Sequence, residues 1–494
     1  MSRAEEFGSR WGLVIATLGM AVGTGNIWRF PRIAASNGGG SFLVAWVVFL
    51  FLWSVPLMIT EFAVGKRMRR GTVGSFVGLG GSGFAWMGGF VALCATAIMF
   101  YYSVVTGWCF RYLAAAVSTW WRALTTPGAP GPLAGEGASE ALWNSFAGTP
   151  NSLLTHFVAL AAGVAVVWFG VRGIERVAKV LIPSLAVMVV ILALRAVTLP
   201  GAEKGLEFLF TPDWQALGRP RIWLEALTQN AWDTGAGWGL ILTYAIYMRA
   251  REDVSLNAFL IGFGNNSMSL LAGIMVLCTV FAINPGARSE IVGAGNEGLT
   301  FIWMPQLFAA MPGGNVFMML FFGALSFAAL TSLIAMVELA TRVLIDLGMK
   351  RRPAILAVGA AGLILGMPSA LSLPVLQNQD WVWGVGLMLS GLFFAVAASR
   401  FGLERLRTEV VNGEGCDLPI GRWWVFLVGV LVPVEAVTLM IWWLTQSRGE
   451  GWLDPLATFS TGTVLVQWAI GIALMLLVNR WLARRTGGSP EAAA

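Results

Sequence analysis

Long apolar runs, broken by short charged or Pro/Gly-rich segments, dominate the chain. A helix needs about 20 mostly apolar residues to cross a bilayer. Twelve stretches meet that need, near 12–35, 42–65, 84–122, 153–170, 177–198, 222–248, 256–284, 314–347, 352–370, 380–400, 422–446 and 459–482. The third and eighth are long enough to tilt or to project into water. The pattern predicts an all-α polytopic membrane protein with 12 transmembrane helices. The first run is too long for a cleavable signal and lacks a small-residue cleavage site. Residues 123–152 and 199–221 read as Pro/Gly-rich connectors. Residues 286–312 hold apolar pieces too short to span and read as a lid that folds back.

Composition removes the soluble alternatives. Only 12% of the 494 residues are charged, against about 25% in a soluble domain. The sole histidine, His156, excludes any site that needs two. Cys94, Cys109, Cys278 and Cys416 show no CxxC spacing, so neither zinc nor a disulfide framework is suggested. The net charge of +6 is explained by where the charges fall. Lys66, Arg67, Arg69 and Arg70 follow the second run, Arg172, Arg176 and Lys179 the fourth, and Lys350, Arg351 and Arg352 the eighth. The intervening loops are acidic or mixed. The positive-inside rule then places both termini in the cytoplasm, and no nucleic-acid partner is needed.

Two runs are interrupted. The first contains GMAVGTGNIWRFP, with Gly19, Gly23 and Gly25 around Asn26. The sixth contains NAWDTGAGWGLILTY, with Gly235, Gly237 and Gly239 beside Asp233. Either alone reads as small-xxx-small helix packing. If runs 1–5 and 6–10 are repeats, however, the interruptions correspond, which is the sequence mark of a midplane binding site. Unwinding frees carbonyls for a cation and helix N-termini for an anion.

With the following NGGGSF, and with VPLMITEFAVG, FYYSVVTGW, TPDW, TYAIY, FAALTS and QDW in order, the chain resembles the bacterial branch of the neurotransmitter:sodium symporters. The resemblance covers the first ten runs. It implies a five-plus-five inverted-repeat, LeuT-type fold with helices 1 and 6 broken. The first repeat would occupy 1–200 with the N-terminal tail. The second would occupy 201–402 and include the lid, leaving 403–494 for the last two spans and the tail. The implied function is import of a neutral, medium-to-large L-amino acid with sodium across a bacterial inner membrane. Two sodium sites and no organic cofactor are expected.

The same resemblance implies residue roles. The first sodium would see the Ala21 carbonyl and the Asn26 and Asn265 side chains. The second would see the carbonyls of Gly19, Val22 and Ala328 and the hydroxyls of Thr331 and Ser332. The substrate carboxylate would meet the amides of Thr24 and Gly25 and the Tyr102 hydroxyl. Its amine would meet the carbonyls of Ala21 and Trp232. Ile98, Trp232, Gly235, Trp238 and Met336 would line the side-chain pocket. Monoamine-transporting relatives carry Asp where this chain has Gly23, so here the substrate brings its own carboxylate. Arg29 and Asp380 would form the outer gate, and Asp346 and Tyr247 the inner one. The family's N-terminal Arg is displaced (Arg3), and its Trp is replaced by Phe7. Glu61 would hold the breaks, and Glu338 lies near the inner pathway.

One departure matters most. Chloride-dependent members hold the anion with a Tyr, a Gln and two Ser. Here Gln229 and Ser269 remain, Trp46 replaces the Tyr, and Asp233 stands where Thr or Ser is usual. Asp233 is expected to ligand sodium and to supply the fixed negative charge. It would be ionised with sodium bound and take a proton when the dehydrated site empties. Chloride-independent transport follows. Enzymatic chemistry is disfavoured, because no Ser–His–Asp, HExxH or P-loop pattern lies on these runs. Another small zwitterion as substrate, a non-transporting amino-acid sensor and a homodimer in the membrane are left open.

Overall fold

The computed structural model describes residues 5–126, 131–447 and 451–487. Arg3 lies outside them. The described residues form helices and no strands. We number the helices used below. The first apolar run forms α1 (Arg10–Ala21) and α2 (Gly25–Ser36), set 51° apart. Then come α3 (Gly40–Met68), α4 (Ser82–Thr125), α5 (Ser152–Trp168) and α6 (Gly170–Val197). The sixth run gives α7 (Pro220–Asp233) and α8 (Leu240–Ala245). The chain continues through α9 (Val254–Ile283), α10 (Gly314–Asp346), α11 (Arg351–Leu371), α12 (Leu373–Phe401), α13 (Trp423–Leu444) and α14 (Thr461–Thr486). Among the described residues nine helices are long and apolar enough to cross a bilayer, or ten with the bent α1–α2 pair as one span.

Side-chain caps fix three of the starts. Ser9 Oγ accepts from Gly12 N at 3.0 Å, Asp253 Oδ1 from Leu256 N at 2.6 Å and Ser460 Oγ from Thr463 N at 3.0 Å. Each satisfies one of the donors a helix start leaves open. Helix α10 lies inside the bundle, with 83% of its apolar window buried, against 33% for α14. On α14 the exposed Ile470, Leu474, Leu477 and Trp481 share one face at helical spacing. In a bilayer that face meets acyl chains, so its exposure needs no protein partner.

Two expectations change. The connectors 123–152 and 199–221 carry the helices Ala138–Phe146 and Ala202–Phe210. The first is ordered by aromatic burial: Trp143 stacks on Phe301 at 5.2 Å and meets Trp108 edge-on at 4.9 Å. The tenth run starts earlier than its apolar core, because α12 includes the polar Gln377, Asn378 and Gln379.

Candidate functional site

The first break follows from where two residues, Gly23 and Thr24, send their backbone donors. In a continuous helix the Gly23 and Thr24 N–H groups would close on the Gly19 and Met20 carbonyls. Instead Gly23 N donates to Asn26 Oδ1 at 2.8 Å, and Thr24 N donates to the Tyr102 hydroxyl at 3.2 Å. The freed Met20 carbonyl accepts from Ser332 Oγ of α10 at 3.0 Å. Gly23 is required by close approach. A Cβ there would lie 2.9 Å from Ser332 Oγ and 3.1 Å from the Tyr102 hydroxyl.

The second break is built differently. Gly235, Gly237 and Gly239 all take positive φ, at 70°, 87° and 79°, where a side chain is strained. Buried Glu61 of α3 accepts from Gly237 N at 2.6 Å and Leu242 N at 3.1 Å, so both its oxygens hold this break. Trp238 Nε1 folds back onto the Ala231 carbonyl at 3.0 Å.

Between the breaks lies a cavity of about 420 Å³. Every residue assigned to the substrate lines it: Ala21, Gly23, Thr24 and Gly25, Ile98 and Tyr102 of α4, Trp232, Gly235 and Trp238, and Ser332 and Met336 of α10. Its mouth is lined by Gly293–Glu297 of the lid, by Gln377 and by Trp443 and Phe459. The lid is tied down where Arg32 Nε donates to Asn296 Oδ1 at 2.6 Å.

Beside the cavity, polar atoms gather around Asp233, which is 3% exposed. Asp233 Oδ2 accepts from Gln229 Nε2 at 3.1 Å and from Ser269 Oγ at 3.2 Å. Two of the residues expected to hold an anion thus converge on a carboxylate oxygen. Trp46 does not join them. Its ring packs on Phe30 at 4.6 Å, and among the described residues its Nε1 meets no acceptor. Asp233 Oδ1 is buried and likewise unbonded among these residues.

The Asn265 amide lies 2.9 Å from the Asp233 carbonyl oxygen and 3.3 Å from that of Ala21. Asn26 Nδ2 donates to Asn265 Oδ1 at 2.9 Å, which turns that oxygen toward both carbonyls. Three acceptors then converge next to a carboxylate, a donor set suited to a hard cation. With the amide reversed, the same contacts are hydrogen bonds. The Asn26 oxygen itself is committed to Gly23 N, and its Nδ2 also donates to Ser269 Oγ at 2.8 Å.

The second expected ion group is only partly assembled. Gly19 packs against Ile182 first and Thr331 second: a Cβ on Gly19 would come 2.6 Å from Ile182 Cδ1 and 3.4 Å from Thr331 Cβ. The Thr331 hydroxyl, however, donates within its own helix, to Phe327 O at 2.9 Å and Ala328 O at 3.1 Å, the back-bonding usual for such residues. Val22 caps α1 through its N–H on the Leu18 carbonyl at 2.7 Å.

The gates are not closed as paired. Arg29 and Asp380 both line the cavity, yet Arg29 lies over the Trp232 ring at 4.7 Å, and Asp380 accepts from the Tyr101 hydroxyl at 3.0 Å. Asp346 is ion-paired with Arg342 at 3.0 Å and accepts from Gly71 N at 2.5 Å. The Tyr247 hydroxyl donates to Glu338 Oε1 at 2.6 Å, and Arg351 grips the same carboxylate at 2.6 and 3.0 Å. Phe7 is buried edge-on against Tyr244 and Tyr247, and Arg249 donates to the Phe7 and Gly8 carbonyls. The side carrying the N-terminal segment is therefore packed shut, while the cavity's mouth lies at the lid. Sequence reasoning missed Tyr101, Arg32, Trp443 and Phe459. Tyr101 sat in the FYYSVV run and was passed over for its neighbour, whereas Trp443 and Phe459 carry no local signal.

The model of the sodium:neurotransmitter symporter family matches residues 4–126 and 144–486. An uncharacterized sodium-dependent transporter of Methanocaldococcus jannaschii is 30% identical, over 87% of this chain and 88% of its own. One from Bacillus subtilis is 29% identical, over 88% and 97%. The sodium-dependent serotonin transporter of Drosophila melanogaster is 26% identical, over 97% and 82%. Among solved structures, MhsT in complex with L-phenylalanine superposes with a TM-score of 0.76 at 28% identity, covering 89% of this chain and 99% of that one. Relatives of this kind are transporters rather than enzymes. The chain belongs to the sodium:neurotransmitter symporter family, as a multi-pass, sodium-dependent membrane transporter.

Proposed function

We propose that the protein imports a neutral L-amino acid with sodium, that it needs no chloride, and that Asp233 supplies the fixed negative charge. The observation that carries the substrate class is that Gly23, which lines the cavity beside the Tyr102 hydroxyl, brings no acidic side chain to it. With no fixed acid there, the Tyr102 hydroxyl and the start of α2 suit a carboxylate brought by the substrate. The L-phenylalanine bound by MhsT supports a large neutral side chain; Gly235 adds nothing to this, because a Cβ there would meet Met20 Sδ at 2.9 Å. The meeting of Gln229 and Ser269 on Asp233 Oδ2 supports chloride independence.

In this reading α1–α2, α5 and α7–α8 each count as one span, which brings the total to twelve, arranged as a five-plus-five inverted repeat. Both termini lie in the cytoplasm of a bacterial inner membrane, and the mouth at the lid faces outward. Two sodium ions bind. One lies at Ala21, Asn265 and Asp233, with Asn26 beside it. The other lies between α1 and α10, where Thr331 must turn from its own helix. Arg29 closes toward Asp380 once substrate is held. A panel of competitors against labelled L-phenylalanine uptake tests the substrate class. Large neutral L-amino acids should compete, and serotonin and betaine should not. Competition confined to betaine- or taurine-like compounds would overturn the assignment.

A further inference from the structure

The last two helices hold no motif of the family, yet α14 is bonded to one short stretch of α12. Gln467 Nε2 donates to Asn378 Oδ1 at 2.9 Å, and Gln379 Nε2 donates to Gln467 Oε1 at 3.3 Å. Asn378 Nδ2 donates to Thr463 Oγ1 at 3.2 Å and to the Thr458 carbonyl at 3.0 Å. Gln379 Oε1 accepts from Trp383 Nε1 at 2.9 Å. Two indoles add backbone bonds, Trp381 Nε1 to the Ser460 carbonyl at 3.2 Å and Trp468 Nε1 to the Val382 carbonyl at 3.1 Å. These bonds bracket Asp380 in sequence from 378 to 383. The amide of Asn378 uses both ends, and so does that of Gln467. Amides bonded at both ends across the interface hold the two segments in one register.

We infer that Gln467, through Asn378 and Gln379, is a positioning residue for Asp380. It fixes the acid against which Arg29 closes over bound substrate. This rests on the proposal that Asp380 is the acid of the outer gate. The bonded segment is also where α13 and the connection into α14 wall the cavity. Trp381 meets Trp443 at 4.8 Å and Phe459 at 5.8 Å, and all three rings line the mouth. A shift of α14 along α12 therefore moves both the acid and its surrounding wall. Among the described residues the gate's basic side shows no such anchor: Arg29 overlies the Trp232 ring.

The test is a double-mutant cycle on the full-length protein in proteoliposomes, reading the rate of labelled substrate release in saturating sodium. Asp380→Asn should speed release. Gln467→Met, which keeps the side-chain shape, should speed it by about threefold to tenfold, the range of interhelical polar bonds in membranes. It should raise KM with little loss of kcat. In the Asp380→Asn background Gln467→Met should add nothing. Thr463→Val, which removes one hydroxyl at nearly constant volume, should reproduce the effect if Gln467→Met folds poorly. If the two substitutions multiply, Gln467 acts on bundle stability and the inference fails. If Asp380→Asn alone speeds release while Gln467→Met and Thr463→Val are silent, the inference fails and the gate stands. If Asp380→Asn is silent, the gate proposal itself fails.

Discussion

At the scale of single residues, one carboxylate separates this chain from the pattern it otherwise follows. Asp233 reaches the donors Gln229 and Ser269 with one carboxylate oxygen, the other is unbonded among the described residues, and its carbonyl oxygen lies 2.9 Å from the Asn265 amide. A buried charge is tolerated only with compensation, and a cation in the adjoining oxygen cluster supplies it. Asp233→Ser removes that charge. Sodium-driven uptake in chloride-free buffer should fall about a hundredfold, the size of unpairing a buried charge, and recover when chloride is added. Tyr102 tests the other pole of the site. Its hydroxyl accepts from Thr24 N and Thr24 Oγ1, both at 3.2 Å. Tyr102→Phe leaves these donors unpartnered and removes a contact for the substrate carboxylate. Apparent affinity should weaken by about tenfold or more, as measured by substrate competition in sodium.

At the scale of elements, the two breaks illustrate how far the sequence reads. Glycine clusters beside Asn26 and Asp233 announce both interruptions, and the cavity forms between them. The means of holding each break is less legible. Glu61 reaches the second through a fold that brings α3 to α8, where Leu242 lies 181 residues away in sequence. The α12–α14 network was invisible for a related reason: Gln377, Asn378 and Gln379 fall before the tenth apolar run at 380–400, and nothing local shows that Gln467 and Thr463 bond Asn378 and Gln379 across the interface. Trp46 went the other way. It holds a relevant sequence position, but its bulky ring is drawn to Phe30 and away from the site. Gly237 supplies an element-scale prediction. Its φ of +87° and the 2.9 Å approach of a Cβ to Gly391 Cα leave no room for a side chain. Gly237→Ala should lower stability by about 1–2 kcal/mol from the backbone alone, with more from the contact. Thermal unfolding in detergent measures it.

At the scale of the whole molecule, the cavity is open at the lid and packed shut at the N-terminal side. Phe7, Tyr247, Glu338 and Arg351 join four separate segments on the closed side. Breaking this packing while closing Arg29 toward Asp380 would reverse the access, which is the alternating motion a sodium-coupled importer requires. A cysteine at Gln377, which lines the mouth, should therefore react with a membrane-impermeant thiol reagent from outside in sodium. Substrate should protect it. Cys416, the one native cysteine that is not buried, is removed first so that the signal belongs to the mouth.

The central claim, sodium-driven amino-acid import with Asp233 in place of chloride, is tested most directly in proteoliposomes. Uptake of labelled L-phenylalanine is followed with sodium outside only, inside only or absent, all in chloride-free gluconate. The account predicts accumulation with sodium outside alone, unchanged when gluconate is replaced by chloride. Uptake that is absent in gluconate and appears only with chloride would contradict it.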